Sequence, residues 1–251
     1  MFDMDDTIFD HARACRSALR AVRRDEAFLR SVPLDELYAT YDRLLTGTHR
    51  AVLKGRTTPT EARRTRWELL ARRYGGPQGR EEVLRLTRSY RRAYLNEKRT
   101  VPGAPEVLRR IHGATIVAVV TDNVAHEQNR TLRSLGVRQY VDHLIASADL
   151  GAPKPHPAVF RTALRRAGVA PQDAVMVGNS WAHDVLGARK AGVPAIWFNR
   201  FHLPRPEGPP VLEVDRFLPV GRFVRLLAEA SRPSRGRRSA RIISRPPVLR
   251  R

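Results

Sequence analysis

The segment Phe2-Asp3-Met4-Asp5-Asp6-Thr7-Ile8-Phe9 places two acids, two residues apart, between apolar neighbours. Because successive side chains of an extended chain point to opposite sides, Asp3 and Asp5 share one face, with Met4 between them. The pattern predicts the end of a buried strand that turns into a loop, where both carboxylates face one pocket. Such a pair can hold a divalent cation, or divide the roles of nucleophile and acid–base group between them. Taken alone, the segment fits an acidic turn equally well.

Length and composition bound the fold class and the compartment. A chain of 251 residues that is 42% hydrophobic can bury a sizeable core, either as one large domain or as a core with an insertion. No apolar run approaches the roughly 20 residues that a membrane helix needs, and the N-terminus lacks the pattern of a secretory signal. The single cysteine, Cys15, excludes an internal disulfide and fits a reducing compartment. We therefore expect a cytoplasmic protein without a membrane partner.

The formal net charge of +21 comes mostly from arginine, since only four of the 46 basic residues are lysines. Residues 231–251 hold eight arginines and no acid, and we expect this tail to be disordered because it has few large apolar residues. The other arginines are spread over predicted helical faces, which favours a compositional bias over a nucleic-acid site. Nucleic acid is thus an expected partner only through the basic tail.

Residues 11–100 carry the patterns of four helices. Residues 11–29 are rich in Ala, Arg and Leu, and Pro33 opens a second helix whose apolar residues recur every three or four positions. A third helix begins at Thr58-Pro59-Thr60-Glu61, which has the form of a capping box, and a fourth spans about 80–97. We expect a helical domain inserted after the acidic pair.

From residue 101 onward, short apolar segments alternate with helix patterns, which is typical of parallel strands covered on both faces. The predicted strands are residues 116–120, 140–146, 174–177 and 195–198, and a short apolar segment near 211–214 and a helix over 220–230 follow. Polar residues come after each strand, and the carboxyl ends of parallel strands open on one crevice. We therefore predict an α/β fold, with a Rossmann-like parallel sheet core (1–10 and 101–230) and an α-helical cap (11–100).

Four short motifs occur in order along the chain. They are Asp3-Met4-Asp5-Asp6-Thr7, Thr121 at a strand end, Lys154 before Pro155, and Gly178-Asn179 followed by Asp184. In this order and at this spacing, across nearly all of residues 1–230, they resemble the motifs of the haloacid dehalogenase-like hydrolase superfamily. The helical insertion between the first two is similar to the mobile cap of one branch of that family.

The resemblance implies a phosphatase that acts on a small phosphorylated metabolite. Asp3 would be the nucleophile that forms an aspartyl-phosphate, and Asp5 would protonate the leaving alcohol and then take a proton from water. The implied phosphate-binding residues are Thr121, Asp122, Asn123 and Lys154. Family members that dehalogenate usually lack the second aspartate, so Asp5 favours hydrolysis of a phosphate ester.

Magnesium is the implied cofactor, because it prefers oxygen ligands. Its predicted ligands are a carboxylate oxygen of Asp3, the backbone carbonyl of Asp5, and Asn179 and Asp184 of the fourth motif. Asn179 stands where the family usually has an acid, and its uncharged amide should lower the affinity for the metal.

Two further departures favour an alternative function, a catalytically weakened member that acts as a binding protein and uses its basic tail for nucleic acid. Only Met1 and Phe2 precede Asp3, so the central strand is short and we expect its neighbours to lack backbone partners. We accordingly expect either a start upstream of Met1 or an unstable form. Asp122 would repel a phosphate unless its side chain points away from the site.

Overall fold

The computed structural model describes residues 1–231, and the predicted basic tail lies outside the described residues from residue 232 onward. The described part has the predicted α/β architecture, a parallel sheet covered by helices and a separate helical layer inserted after residue 10. No helix of the described part has the length and apolar character that a membrane span requires.

Four helices follow the acidic segment, as the sequence patterns predict. They are α1 (His11–Asp25), α2 (Leu34–Leu53), α3 (Pro59–Arg73) and α4 (Arg80–Asn96). The predicted capping box at the start of α3 is confirmed, since the Thr58 hydroxyl accepts from the Glu61 amide and the Glu61 carboxylate accepts from the Thr58 amide. Its two reciprocal bonds satisfy two amides that a helix start otherwise leaves unpaired.

The cap has its own apolar core, centred on three aromatic residues. Tyr41 of α2, Trp67 of α3 and Tyr90 of α4 are all buried, and the ring centroid of Tyr90 lies 4.8 Å from that of Tyr41 and 5.4 Å from that of Trp67. Aromatic pairs at such distances add to the stabilisation that burial gives. The aromatic side chains of three helices therefore join the cap into one packed unit.

Within residues 1–231, the core is built from five short strands and the helices that connect them. In chain order the elements are α5 (Ala104–Ile111), β1 (Ala118–Thr121), α6 (Ala125–Ser134), β2 (His143–Ala146), α7 (Pro157–Ala167), β3 (Met176–Gly178), α8 (Leu186–Lys190), β4 (Ala195–Phe198), β5 (Leu212–Val214) and α9 (Val220–Ala230). Neighbouring residues of β1 lie in different apolar clusters, Val119 with α5 and α9 and Val120 with α7 and α8. The sheet is therefore covered on both faces, as continuous apolar strands predict.

Phe2 joins β1 and β3 into one parallel sheet, with β2 and β5 at its two edges. The Phe2 amide donates to Ala118 O at 2.8 Å, and the Val120 amide donates to Phe2 O at 2.8 Å. On the other side, the Asp3 amide donates to Val177 O at 2.9 Å. The expectation that strands beside this short segment lack partners is wrong for the residues next to the site, because each Phe2 backbone group reaches β1 and the following amide reaches β3.

Three predicted strands begin too early, and one of them is β3, which starts at Met176 rather than at residue 174. Residue 140 ends a short 3₁₀ turn, Arg138–Tyr140, and β2 starts only at His143. Ile116 is exposed, and the amide of the next residue, Val117, donates to the Asp142 carboxylate instead of to a neighbouring strand. Apolar runs thus locate the strands correctly but include residues of the turns before them.

Candidate active site

Asp3, Lys154 and Asp184 meet at the carboxyl end of the sheet, although the sequence separates them widely. The ammonium Nζ of Lys154 donates to Asp3 Oδ1 at 2.6 Å and to Asp184 Oδ1 at 2.7 Å. It also donates to the carbonyl of Val120, at 3.2 Å. All three charged side chains are buried, with residue exposures of 6%, 5% and 1%. The three donor hydrogens of the lysine are thus held by two carboxylates and one strand-end carbonyl.

Burial sets the ionisation of this group. Burial raises the pKa of Asp3 well above its ordinary value, the neighbouring charge of Asp184 raises it further, and Lys154 opposes both. Burial lowers the pKa of Lys154, but the two carboxylates outweigh burial and raise it. Lys154 is therefore charged, and two acidic side chains share it. A further cation at this strand end would favour the ionised form of Asp3.

Asp5 lies outside that cluster and faces the space between core and cap. Its Oδ2 accepts from the Asn123 side-chain amide at 2.7 Å, and its Oδ1 lies 3.8 Å from Nδ1 of His11. The chain turns directly after Asp5, because Asp6 has a left-handed φ of 61°, a conformation that Asp tolerates better than most residues. Asp3 and Asp5 therefore have different surroundings, since Asp3 contacts an ammonium group and Asp5 contacts a side-chain amide.

Asp122 makes bonds to the loop that carries Lys154. Its Oδ1 accepts from the Ser147 hydroxyl at 2.8 Å and from the backbone amide of Lys154 at 2.9 Å. Thr121, beside it, is buried at the end of β1, and its hydroxyl accepts from the Asn123 amide at 3.3 Å. The structure thus gives Asp122 a bond that positions the lysine. Its contact with phosphate, like those of Thr121 and Asn123, stays a prediction.

The fourth motif holds Asp184 rigidly. Asp184 lies on a π-helical turn, Trp181–Val185, and its Oδ2 accepts from the Ser180 amide at 2.9 Å. A Cβ on Gly178 would overlap the Asp184 side chain, so glycine is required there for this carboxylate to approach the strand. The backbone carbonyl of Asn179 accepts from the Trp197 indole at 2.9 Å, which fixes the segment that presents the Asn179 amide.

The oxygens at this strand end fit a magnesium ion in their chemistry. The side-chain oxygens of Asp3 and Asp184, the Asp5 carbonyl and the Asn179 amide oxygen are the hard ligands that magnesium prefers. Within residues 1–231, no three His, Cys, Asp or Glu side chains form a metal-binding group. The proposed ligand set has only two acidic side chains and relies on one carbonyl and one amide for the rest.

A cleft of about 120 Å³ lies between the strand ends and the cap. Core residues Asp5 and Asn123 line it together with His49 and Arg66 of the cap. An ion pair spans the two layers, because Nη2 of Arg63 in α3 lies 2.6 Å from Oε2 of Glu127 in α6. Arg91 of α4 binds the same carboxylate, with Nη2 3.3 Å from Oε1.

Three residues at the cleft carry no motif and were not predicted from the sequence. Gln128 donates to Asp5 at 3.4 Å, and Nδ1 of His11 lies 2.9 Å from the Tyr94 hydroxyl. Burial lowers the pKa of His11, but Cys15 and the nearby aspartates outweigh burial and raise it to about 10. Arg66 follows Ala62 and precedes Leu70 at four-residue spacing, so its position in a buried stripe of α3 was visible in the sequence.

His156 and His183, which adjoin the third and fourth motifs, are both exposed. The His156 ring accepts from the Ala158 amide at the start of α7, and the His183 amide donates to the Ser180 hydroxyl. Both histidines are therefore solvent-exposed neighbours of the motifs and not members of the charged cluster.

Known proteins resemble this chain over most of its length. The Bacillus subtilis protein YfnB, named as a HAD-hydrolase, is 28% identical over 219 residues, which cover 86% of this chain and 90% of YfnB. A crystal structure of YfnB bound to magnesium matches with a TM-score of 0.72 at 26% identity, covering 90% of this chain and 96% of that one.

Relatives with named activities include a phosphatase and a dehalogenase. The glyceraldehyde 3-phosphate phosphatase of Pyrococcus abyssi is 28% identical over 200 residues, or 78% of this chain and 79% of the relative. The 2-haloacid dehalogenase structure from Pseudomonas syringae matches with a TM-score of 0.60 at 26% identity, covering 90% of this chain and 96% of that one.

A family model described as haloacid dehalogenase-like hydrolase matches residues 1–192, which include the acidic pair, Thr121, Lys154 and Asp184. The match thus spans most of the chain and every strand end that contributes to the charged cluster. The relatives of this chain include phosphatases. The protein belongs to the haloacid dehalogenase-like hydrolases.

Proposed function

We propose that the protein is a magnesium-dependent phosphatase that hydrolyses a small phosphomonoester through an aspartyl-phosphate on Asp3. The observation that supports the proposal is that two aspartates have different hydrogen-bond partners. Asp3 is buried on the ammonium of Lys154, at 2.6 Å, whereas Asp5 lies outside that ion cluster on the Asn123 amide. A phosphoryl transfer with a covalent intermediate needs both a fixed nucleophile and a separate acid–base group.

Asp3 would attack the phosphorus on the side opposite the leaving oxygen. Lys154 holds its Oδ1, which leaves Oδ2 as the oxygen that attacks phosphorus. As that bond forms, the ester oxygen leaves, and Lys154 can offset the charge of the phosphoryl oxygens as a compact, fixed cation. Asp184 and the Val120 carbonyl hold the lysine in place for this role.

Asp5 serves the two proton transfers. In the first half of the reaction it would protonate the leaving alcohol, and in the second it would take a proton from the water that attacks the aspartyl-phosphate. Its contact with Asn123 at 2.7 Å fixes the direction of the carboxyl group, and the His11 ring lies 3.8 Å from its other oxygen.

Asp3, Asp184, the Asp5 carbonyl and the Asn179 amide would hold the magnesium ion. When bound, the ion would offset negative charge on the phosphoryl group and favour the ionised form of Asp3, whose pKa burial raises. Phosphate-ester hydrolysis is favoured over dehalogenation because a departing halide needs no proton, whereas Asp5 is placed to supply one.

The test compares the wild type with Asp3→Asn on 4-nitrophenyl phosphate in the presence of magnesium. We expect the substitution to lower kcat by about 10⁴-fold or more, since the nucleophile is lost while the size of the side chain is kept. Mass spectrometry of acid-quenched wild type should find a phosphorylated peptide that contains Asp3. Asp149→Asn, which changes an exposed aspartate, is the matched control. Equal rates for wild type and Asp3→Asn would refute the proposal.

A further inference from the structure

Two neighbouring residues on the cap wall of the cleft carry buried hydrogen-bond donors without partners. Nε of Arg66 and Nε1 of Trp67 are two of the four buried side-chain nitrogen or oxygen atoms in residues 1–231 that lack a hydrogen-bond partner. Both side chains line the cleft, and Arg66 is only 8% exposed. Buried donors are almost always satisfied in folded proteins, so two adjacent exceptions at a cleft indicate an acceptor that binds there.

The charge of Arg66 is also unbalanced. Its Nη1 donates to the neutral Tyr41 hydroxyl at 3.2 Å, and in the described part of the chain no carboxylate lies within ion-pair distance of its guanidinium. The other two cap arginines of the cleft differ, since Arg63 and Arg91 share Glu127. A buried cation without an anion is costly, and a bound anion removes that cost.

We propose that Arg66 binds a second anionic group of the substrate, a carboxylate or a second phosphate, while the phosphate ester lies at Asp3. The inference rests on the proposed phosphatase function and narrows its substrate class to small phosphomonoesters with two anionic ends. A guanidinium can hold either oxyacid group through two parallel hydrogen bonds, and the indole N–H of Trp67 adds a third donor.

The aromatic residues of the cap wall argue against a nucleobase at this end. Tyr41, Trp67 and Tyr90 pack on each other and are at most 7% exposed, so their ring faces are used inside the cap. The cleft, at about 120 Å³, is also smaller than the roughly 300 Å³ at which pockets for drug-sized ligands begin. Both observations favour a short substrate whose far end is recognised by charge.

The experiment measures kcat/KM for pairs of substrates that differ only at the far end. Phosphoglycolate is compared with 2-hydroxyethyl phosphate, and propane-1,3-diol bisphosphate with the corresponding monophosphate. The first pair tests a carboxylate and the second a phosphate, so the larger ratio identifies the anion. Turnover of 4-nitrophenyl phosphate by the wild type tests the phosphatase function separately, because this substrate has no second anion.

We expect the wild type to prefer at least one dianionic-ended substrate by on the order of 100-fold. Arg66→Met should reduce that ratio at least tenfold. Arg66→Lys keeps the positive charge but loses the planar guanidinium that can donate two parallel hydrogen bonds, so its ratio should lie between those of the wild type and Arg66→Met. Arg72→Met, an exposed arginine on the same helix, should leave the ratio as in the wild type. The wild-type ratio needs no variant and therefore stands even if Arg66→Met folds poorly.

A wild-type ratio near one in both pairs would overturn the inference while leaving the phosphatase function intact. A ratio that Arg66→Met and Arg72→Met change equally would also overturn it, because the preference would then come from the general positive charge of the protein. An absence of turnover with every substrate, 4-nitrophenyl phosphate included, would overturn the phosphatase function on which it rests.

Discussion

The charged cluster of Asp3, Lys154 and Asp184 at the strand ends, here called the core wall, differs from the cap wall of the cleft in how its charges are paired. On the core side, Lys154 is bonded to Asp3 and Asp184 within 2.7 Å, and strand ends and a tight turn hold every member. On the cap side, Arg66 is nearly as buried but has only a tyrosine hydroxyl as its partner. Every charged side chain of the core wall has a partner within the protein, whereas the cap wall has buried donors without a protein partner.

This difference indicates that the core wall carries out the reaction and that the cap wall selects the substrate. Groups that act on a transferring phosphoryl group must be held before the substrate arrives, because reorganising them would raise the barrier. Groups that choose among substrates gain by being unsatisfied in the free protein, since a ligand without the right acceptor then leaves a buried donor unpaired. The core wall has the first property and the cap wall the second.

The largest expected effect comes from breaking the core wall at Lys154. Lys154→Met leaves Asp3 and Asp184 buried without their shared cation, which should lower the free energy of unfolding by about 3 kcal/mol without metal. It should also lower kcat for 4-nitrophenyl phosphate by on the order of 1,000-fold. Because burial and like charge raise the carboxylate pKa, the loss of stability should be smaller at pH 5 than at pH 8.

Urea unfolding at the two pH values and initial rates measure these effects. Lys190→Met, which removes an exposed lysine at the end of α8, is the matched control and should change neither quantity. An unchanged unfolding midpoint for Lys154→Met at pH 8 would contradict the view that the lysine stabilises the two buried acidic side chains.

A smaller effect is expected when the core wall is made more negative. Asn179→Asp adds an anion beside Asp184, so the magnesium concentration for half-maximal rate should fall by about tenfold. Magnesium titration of the rate tests this, with Asn96→Asp as a control that adds the same charge at the exposed end of α4. A magnesium requirement that stays the same or rises would argue against Asn179 as a ligand.

The smallest effect concerns the bridge between the two walls. Glu127→Gln removes the carboxylate that joins Arg63 and Arg91 of the cap to the core, and half-exposed ion pairs contribute little. We expect KM to rise by about threefold with little change in kcat. The dependence of KM on salt concentration should weaken. Steady-state kinetics at two salt concentrations measure both.

Glu68→Gln is the control for this prediction, because Glu68 pairs with Arg64 within the same helix as Arg63 and joins no second layer. If both variants raise KM equally, the bridge contributes nothing beyond surface charge.

Features that depend on neighbours in the chain were predictable. The capping box of Thr58 and Glu61 was predicted with its residue numbers, because both partners lie within one helical turn. The convergence of Asp3, Lys154 and Asp184 was expected as well, since each follows or adjoins a predicted strand end. Helix positions in the cap followed from periodicity in the same way.

Features that depend on a partner distant in the chain could not be predicted from the sequence. The contact between Asp122 and the Lys154 amide joins residues 32 positions apart, and sequence reasoning gave Asp122 only a repulsive effect on phosphate. The segment around Phe2 was expected to be too short to pair with its neighbours. Its backbone nevertheless pairs with β1 through Phe2 and with β3 through the Asp3 amide. Chain direction and spacing do not encode which bonds such residues find.

The sequence by itself determined the α/β fold class, the helical cap pattern and the identity of the charged residues at the strand ends, because local periodicity and motif order carry that information. Only the tertiary structure decided which charges are paired. Lys154 and Arg66 are both buried cations, but whether a buried cation meets a carboxylate depends on what the packing of other elements brings within hydrogen-bond distance.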